Sequence, residues 1–387
     1  MRKGLFKLMG ASVCLFLLFP FSFFNSASAS AQPLSDGATA SVLTCGVGED
    51  FYTSFGHSAV RITDSARGLD LVYNYGTFDF DTPHFYWKFM RGQLDYQLSR
   101  STYSQFLAEY TWLGRSVSEQ TLNFTPTQVA NLFILLETNY LPQYRNYRYD
   151  FLRDNCATRV RDVVYSAWAA DTLLQRSAEP ASYRQLLATC LKDSMEWWRL
   201  GIDLLFGLPT DHRCTAPERM FLPAELEAEL ARCTTSDVRL ASAIVGSAHP
   251  LLPSGCSPKH RSFPPVVAFA LLLALVAVMS WRRWWRPWMD RVLFVVAGLC
   301  GLFLCFMWFG TNHWCTRWNL NILWLSPLLL LIAIRLERSP RWALWLQEAM
   351  FLAAAVWVVW CGLSVAIIPL IIMLMLRVGM LLFPIKR

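Results

Sequence analysis

The chain has 387 residues, a length that accommodates two domains. Hydrophobic residues make up 54% and charged residues 16% of it, and the mean hydropathy is +0.30, so disordered and fibrous classes are excluded and a membrane protein is favoured. The net charge of +7 is concentrated near the C-terminus, because residues 263–387 contain eleven basic and only three acidic residues. This charge therefore indicates membrane topology, and no nucleic-acid partner is predicted.

The first 31 residues have the three parts of a secretion signal. Basic residues precede an apolar run from about Leu8 to Phe24, and small residues follow with cleavage positions after Ala29 or Ala31. The alternative is an uncleaved membrane anchor. The pattern predicts export of the segment that follows.

Residues 32–262 have the mixed polarity of an exported domain. Strand-like stretches come early, at Ser58–Thr63 and Asp70–Tyr75. Helix-like stretches come later, one starting at a Thr125 cap and one running from Asn155 or Cys156 to about residue 169. Strands followed by helices predict an α+β fold.

Residues 263–387 read as a transmembrane domain, an all-α bundle of about five helices. The predicted spans are about Val266–Trp281, Val292–Phe309, Leu320–Ile334, Ala343–Trp360 and Val365–Phe383. Arginines cluster in the links after the first and third spans, which places those links and the C-terminus in the cytoplasm. An exported N-terminal domain then requires an odd number of spans, and five satisfies this. The open alternative is that residues 342–384 form one kinked or re-entrant element.

Two short segments of the exported domain contain the candidate catalytic residues. His57 follows a glycine at the start of a predicted strand, and Cys156 follows an aspartate and an asparagine at the start of a predicted helix. The positive end of a helix lowers the pKa of a thiol, so a thiolate at Cys156 is expected, with His57 as its base. Such a pair supports acyl transfer through a thioester. The alternative is a core histidine and a packed or disulfide-bonded cysteine.

The order of these residues resembles the permuted papain-like arrangement of NlpC-type and lecithin:retinol acyltransferase-like enzymes. The stretch Thr44–Val164 further resembles the exported N-terminal domain of the Lnb family. The motifs that carry this resemblance are Gly48-Glu49, Phe55-Gly56-His57-Ser58, Tyr73-Asn74-Tyr75-Gly76-Thr77-Phe78-Asp79-Phe80, Phe85-Tyr86 to Gly92, Tyr149-Asp150-Phe151 and Asp154-Asn155-Cys156. Val47 departs from the family pattern, where a proline is expected. The resemblance implies a permuted papain-like α+β fold and N-acylation of bacterial lipoproteins.

Roles for individual residues follow from the resemblance and from triad chemistry. Cys156 would be the nucleophile and His57 the base, and a third residue should orient the imidazole. Asn74 and Tyr75 are the candidates, because their strand is expected to pair with that of His57. Asn74 is preferred because its amide oxygen can accept the Nδ1 proton. Candidate substrate contacts are Tyr75, Arg61 and Arg159.

Other motifs predict no metal and no cofactor, since the six histidines form no ligand pattern and no phosphate-binding glycine loop is present. Four exported cysteines allow two disulfides in any of three connectivities, and these are Cys190, Cys214, Cys233 and Cys256.

The sequence therefore predicts a multi-pass acyltransferase of the bacterial inner (cytoplasmic) membrane with its catalytic domain in the periplasm. A phospholipid would donate an acyl chain to Cys156, and a diacylated lipoprotein would accept it on the amine of its diacylglyceryl-cysteine. One alternative is a cell-wall cysteine peptidase or amidase of the same fold. A second is a non-catalytic membrane assembly factor.

Overall fold

A seven-stranded sheet is the centre of the N-terminal part, and all its neighbouring strands are antiparallel. The computed structural model describes residues 33–48, 50, 53–168, 173–175, 179–191, 195–235, 243–253 and 262–383. The predicted secretion signal lies outside the described residues. The strands of the sheet are β1 (Thr39–Cys45), β2 (His57–Asp64), β3 (Leu69–Thr77), β4 (Asp95–Thr102), β5 (Val117–Thr121), β6 (Asn146–Arg148) and β9 (His249–Leu252). They lie side by side in the order β6-β4-β3-β2-β1-β5-β9.

Eight helices and a small second sheet complete this part of the described chain. The helices are α1 (Phe85–Met90), α2 (Tyr103–Trp112), α3 (Pro126–Tyr140), α4 (Cys156–Trp168), α5 (Tyr183–Cys190), α6 (Glu196–Leu205), α7 (Ala216–Arg219) and α8 (Pro223–Arg232). The second sheet pairs β7 (Leu173–Gln175) with β8 (Cys233–Thr235). The predicted α+β class is confirmed.

Helices cover both faces of the large sheet because its strands alternate buried residues on the two sides. Helix α2 packs Phe106 and Tyr110 against Ala59 and Val72 on one face. On the other face, Glu137 of α3 accepts a hydrogen bond from the hydroxyl of Tyr73. The two predicted helix starts are confirmed at α3 and α4.

The C-terminal part consists of apolar helices, as expected of a membrane bundle. They are α9 (Pro265–Trp281), α10 (Pro287–Phe309), α11 (Leu328–Ile334), α12 (Arg341–Trp360) and α13 (Ile367–Leu382). Among the described residues, α10 and α12 are long and apolar enough to span a membrane. A third span is possible if the 314–323 segment and α11, which meet at 40°, count as one, and α9 and α13 are shorter apolar helices. Residues 342–383 form two helices, α12 and α13, and the count of five spans and its single-element alternative both stay predictions.

Loops between the membrane helices hold the N-terminal part in place. The backbone N–H of Asn312 donates to the carbonyl of Arg91 at 2.9 Å, and the N–H of Gly207 donates to that of Cys315 at 2.8 Å. The predicted outward link, residues 310–319, thus lies against the domain, on the side that the charge pattern assigned to it. The boundary at residues 262 and 263 stays a prediction.

A buried ion pair makes a second connection. Arg184 on α5 donates to the carboxylate of Asp203 on α6 at 3.0 Å. The other oxygen of Asp203 accepts the backbone N–H of Ser364, between α12 and α13, at 2.8 Å. Helices α5 and α6 therefore join the sheet domain to the membrane helices.

Candidate functional site

The site begins at the first residue of β2. Gly56 precedes His57 with a φ of 80°, and a side chain there would lie 2.7 Å from the carbonyl oxygen of Cys45. Only glycine combines this backbone conformation with this close approach. The turn therefore fixes the point at which His57 enters the sheet.

The register between β2 and β3 decides which residue faces His57. Val60 pairs with Tyr73, so Asn74 lies on the same face as His57 and Tyr75 lies on the opposite face. The Nε2 atom of His57 is 3.3 Å from Oδ1 of Asn74. The expectation that Nδ1 would face the amide is therefore wrong, because the ring is turned so that Nε2 does. With its proton on Nε2, the imidazole keeps a free Nδ1 lone pair.

Cys156 is the first residue of α4, and the residue before it caps this helix. The side-chain oxygen of Asn155 accepts the backbone N–H groups of Ala157 at 2.9 Å and Thr158 at 3.0 Å. Its amide nitrogen donates to the carbonyl oxygens of Phe151 and Phe221. This buried cap holds the start of the helix, and with it the thiol, against the sheet.

The thiol lies where β2 and β3 separate. Their pairing ends at Val60 and Tyr73, and the register of β3 with β4 shifts between Asn74 and Thr77. The backbone N–H of Ser58, next to His57, is a hydrogen-bond partner of the Cys156 sulfur. The structure thus brings His57, Asn74 and Cys156 to one end of the sheet.

Burial sets the resting charges of this pair. It raises the pKa of the Cys156 thiol, and the backbone N–H groups of Ser58, Ala157 and Cys156 oppose this only in part. Burial also lowers the pKa of His57 to about 4, with a further contribution from the cation of Arg115. The expected resting thiolate is therefore wrong, since both groups are neutral near pH 7.

Arg115 is a residue of this site that the sequence analysis missed. Its side chain is 6% exposed, and its Nε donates to the carbonyl oxygen of Gly46 at 2.9 Å. Its Nη2 is buried without a hydrogen-bond partner, and no carboxylate of the described residues forms an ion pair with it. Gly46 follows Cys45, which pairs with His57 across the sheet. A buried cation with no carboxylate partner among the described residues thus lies near the histidine.

The three proposed substrate contacts lie elsewhere or are already paired. Tyr75 is buried on the opposite face, where Asn139 donates to its hydroxyl at 2.7 Å. Arg61 forms ion pairs with Asp70 and Glu119 on the sheet. Arg159 is paired with Asp154, and its guanidinium lies 4.1 Å from the ring centre of Tyr147. The structure brings neither Tyr75 nor Arg61 to the His57 side chain.

An apolar cavity of about 330 Å³ lies between the sheet domain and the membrane helices. Tyr149 and Phe151, in the segment that leads into α4, form part of its wall. Gly201 and Ile202 of α6 and Met307 of α10 form other parts. This cavity has space for an apolar group of a ligand, between the thiol site and the membrane helices.

Among the described residues, the other cysteines of the predicted disulfides form no further site. Cys190 and Cys214 are free thiols, and Cys256 lies outside the described residues. The sulfur of Cys233 is 3.6 Å from the hydroxyl of Tyr165. Two disulfides among the four cysteines are therefore wrong, since at least two of the thiols are unbridged. In the described part of the chain, no group of three or more His, Cys, Asp or Glu residues could hold a metal ion.

The fold and the site together define a membrane protein with an α+β domain in which His57, Asn74 and Cys156 lie at one end of the sheet. Comparison with known families agrees with this class of protein and identifies the family within it. The model of the Lnb N-terminal periplasmic domain matches residues 28–189, and that of the Lnb transmembrane domain matches residues 257–387. The two matches together cover most of the chain, which belongs to the Lnb family, a family of lipoprotein biogenesis. No curated protein and no solved structure matches it.

Proposed function

We propose that this protein is an N-acyltransferase that carries an acyl chain on Cys156 from a phospholipid to a diacylated lipoprotein. The observation that carries the proposal is the hydrogen bond between the backbone N–H of Ser58, the residue after His57, and the sulfur of Cys156, together with the contact of His57 Nε2 with Asn74. Membership of the Lnb family and the apolar cavity at the membrane side support a lipid substrate. The proposed location is the bacterial inner membrane, with the site in the periplasm.

In the first half-reaction, the thiol becomes a nucleophile only as it reacts. Nδ1 of His57 takes the thiol proton while the sulfur of Cys156 attacks the ester carbonyl of the phospholipid. The tetrahedral intermediate then expels the glycerol oxygen, which takes the proton from His57. The products are a thioester on Cys156 and a lysophospholipid. Asn74 holds the imidazole through Nε2 during both proton transfers.

In the second half-reaction, the α-amino group of the lipoprotein's diacylglyceryl-cysteine attacks the thioester carbonyl. His57 accepts the proton from the amine, and the sulfur leaves and is protonated again. The acyl chain ends in a stable amide. Because both substrates are bilayer lipids, a domain fixed to membrane helices meets them at high local concentration.

Negative charge on the carbonyl oxygen needs donors in both steps. The backbone N–H groups of Cys156 and Ser58 are hydrogen-bond partners of the sulfur, and Nη2 of Arg115 has no hydrogen-bond partner among the described residues. A buried cation is worth more here than in water, because the site has a low dielectric constant. We assign Arg115 the role of stabilising this charge and of keeping His57 neutral.

Mass spectrometry of lipoprotein N-termini tests the function. A host strain that lacks lipoprotein N-acylation should gain N-acylated lipoproteins when it expresses this chain. Cys156→Ala should abolish the N-acyl group, while Cys190→Ala, which removes another thiol of the same domain, should retain it. Retained N-acylation with Cys156→Ala would favour a non-catalytic assembly factor. Altered wall peptides with unchanged lipoproteins would favour the peptidase.

A further inference from the structure

Two short helices, α1 and α6, flank the apolar cavity and pack on the apolar C-terminal helices. Phe89 of α1 and Trp198 of α6 line the cavity, and about half of each side chain is exposed. A tryptophan close to each in sequence contacts a membrane helix. Trp87 stacks on Phe306 of α10 with ring centres 6.0 Å apart, and Trp197 packs on Phe269 of α9 at 5.6 Å.

Aromatic side chains at this depth are typical of the interface between lipid headgroups and acyl chains. Because α1 and α6 each pack on an apolar C-terminal helix, an entry between them would lie at the level of the outer leaflet. The cavity is therefore positioned to admit part of a lipid without removing it from the bilayer.

The inner wall of the cavity adjoins the thiol. A side chain built on Gly76 would lie 3.8 Å from the ring of Tyr149 and 3.5 Å from Cβ of Cys156. Tyr149 thus lines the cavity on one side and flanks Cys156 on the other. Phe151 continues this wall and packs on Phe55 at 5.1 Å, two residues before His57. The family motif Tyr149-Asp150-Phe151 joins the cavity to the site.

We propose that this cavity binds the acyl chain of the donor phospholipid, that the chain enters between α1 and α6, and that Gly201 sets the chain length accepted. This inference rests on the proposed function and adds to it the binding site of the transferred group. A chain held in the cavity has its carboxyl end at Tyr149, next to the sulfur.

Gly201 occupies the position in the cavity wall where chain length is most easily changed. It lies in α6, and no described atom lies within 4 Å of a Cβ built on it. A side chain at this position therefore extends into free space instead of displacing a neighbour. Helix α6 also tolerates the change, since alanine and leucine favour helix more than glycine does.

The experiment compares Gly201→Ala, Gly201→Leu and Gly201→Trp with wild type in vesicles that hold equal amounts of short-chain and long-chain phospholipid and one diacylated lipoprotein. Mass spectrometry measures the N-acyl chain, the O-acyl chains and the rate. Gly37→Leu is the matched control, because it adds the same side chain in an exposed turn far from the cavity.

The proposal predicts that N-acyl chains shorten in the order Ala, Leu, Trp. The preference for the short donor should change by at least about tenfold with leucine, as a change of a few methylenes in an apolar pocket does. The control should keep the wild-type distribution. Thermal unfolding of each variant checks that it is folded, and alanine remains informative if tryptophan is not.

Two results would overturn the proposal. One is an unchanged N-acyl distribution and rate in folded Gly201→Leu and Gly201→Trp. The other is selection among lipoproteins by the length of their O-acyl chains, which would place the acceptor in the cavity. Neither is confused with failure of the proposed function, which would appear as absence of N-acylated product in wild type.

Discussion

At the scale of single residues, the buried cation of Arg115 distinguishes this site from a simple cysteine–histidine pair. Sequence patterns and family resemblance were enough to single out His57 and Cys156. They did not determine the resting protonation, because desolvation depends on how helix and sheet pack around the thiol. They also missed Arg115, whose contact with Gly46 joins residues far apart in the chain and has no local motif.

Arg115→Met tests the role of this buried cation. We expect the rate of acyl transfer to fall about 10²–10³-fold, as when one donor to a developing oxyanion is removed. Arg115→Lys should restore part of the rate, since it keeps the charge but not the geometry. The measurement is single-turnover loading by phospholipid. Full loading rates in Arg115→Met would show that the guanidinium has only a structural role.

The pH dependence follows from the low pKa of His57. Because that pKa is about 4 instead of 6.5, the folded protein keeps a neutral base as the pH falls from 7 to 5. We expect the acidic limb of the pH profile of kcat/KM for phospholipid to lie well below pH 6. Arg115→Met should move this limb to higher pH, because the cation that repels a protonated His57 is gone. A wild-type limb near pH 6.5 would contradict this account.

The same shift predicts how stability depends on pH. The unfolded chain binds a proton at His57 below about pH 6.5, whereas the folded chain does so only near pH 4. The free energy of unfolding should therefore decrease as the pH falls between these values, and His57→Gln should remove this contribution. Thermal unfolding at several pH values would detect the difference, and identical pH dependences would argue against the shift.

At the scale of elements, the sequence predicted helices whose signals are local. The Thr125 cap and the Gln128 side chain form the expected capping box of α3. Asn74 could not be separated from Tyr75, because strand register depends on pairing across the sheet. Helices α5 to α8 were not predicted from the sequence, although Ser182 and Gln185 form at α5 the same kind of capping box as at α3. The way these helices join the membrane part depends on contacts remote in sequence, such as the hydrogen bond from the N–H of Ser364 to Asp203, which spans 161 residues.

The joint between α5, α6 and the membrane helices should be sensitive to loss of one charge. Arg184→Met leaves the carboxylate of Asp203 buried without its close partner, so we expect destabilisation of about 3–5 kcal/mol. The exposed pair of Arg148 and Asp95 is the control, and Arg148→Met should cost about 0–1 kcal/mol. Thermal unfolding in detergent measures both. Equal effects would show that the joint is not held by this pair.

At the scale of the whole molecule, the periplasmic domain and the membrane helices together form the cavity. In the proposed function the domain supplies the thiol and its base, while loops of the helical part contact the domain and complete the walls of the cavity. A soluble domain alone would lack Met307 and Cys315 from those walls. Lipid must therefore reach Cys156 from the membrane side. Its acyl chain must remain covalently bound to Cys156 between the two half-reactions.

The most direct measurement is the intact mass of purified, rapidly quenched protein after incubation with phospholipid alone. The account predicts one acyl chain added to Cys156, labile to hydroxylamine, with one lysophospholipid released per chain. Neither should appear with Cys156→Ala or His57→Ala. If wild-type protein shows no adduct, while N-acylated lipoprotein still forms once both substrates are present, transfer is direct and the thioester account is wrong.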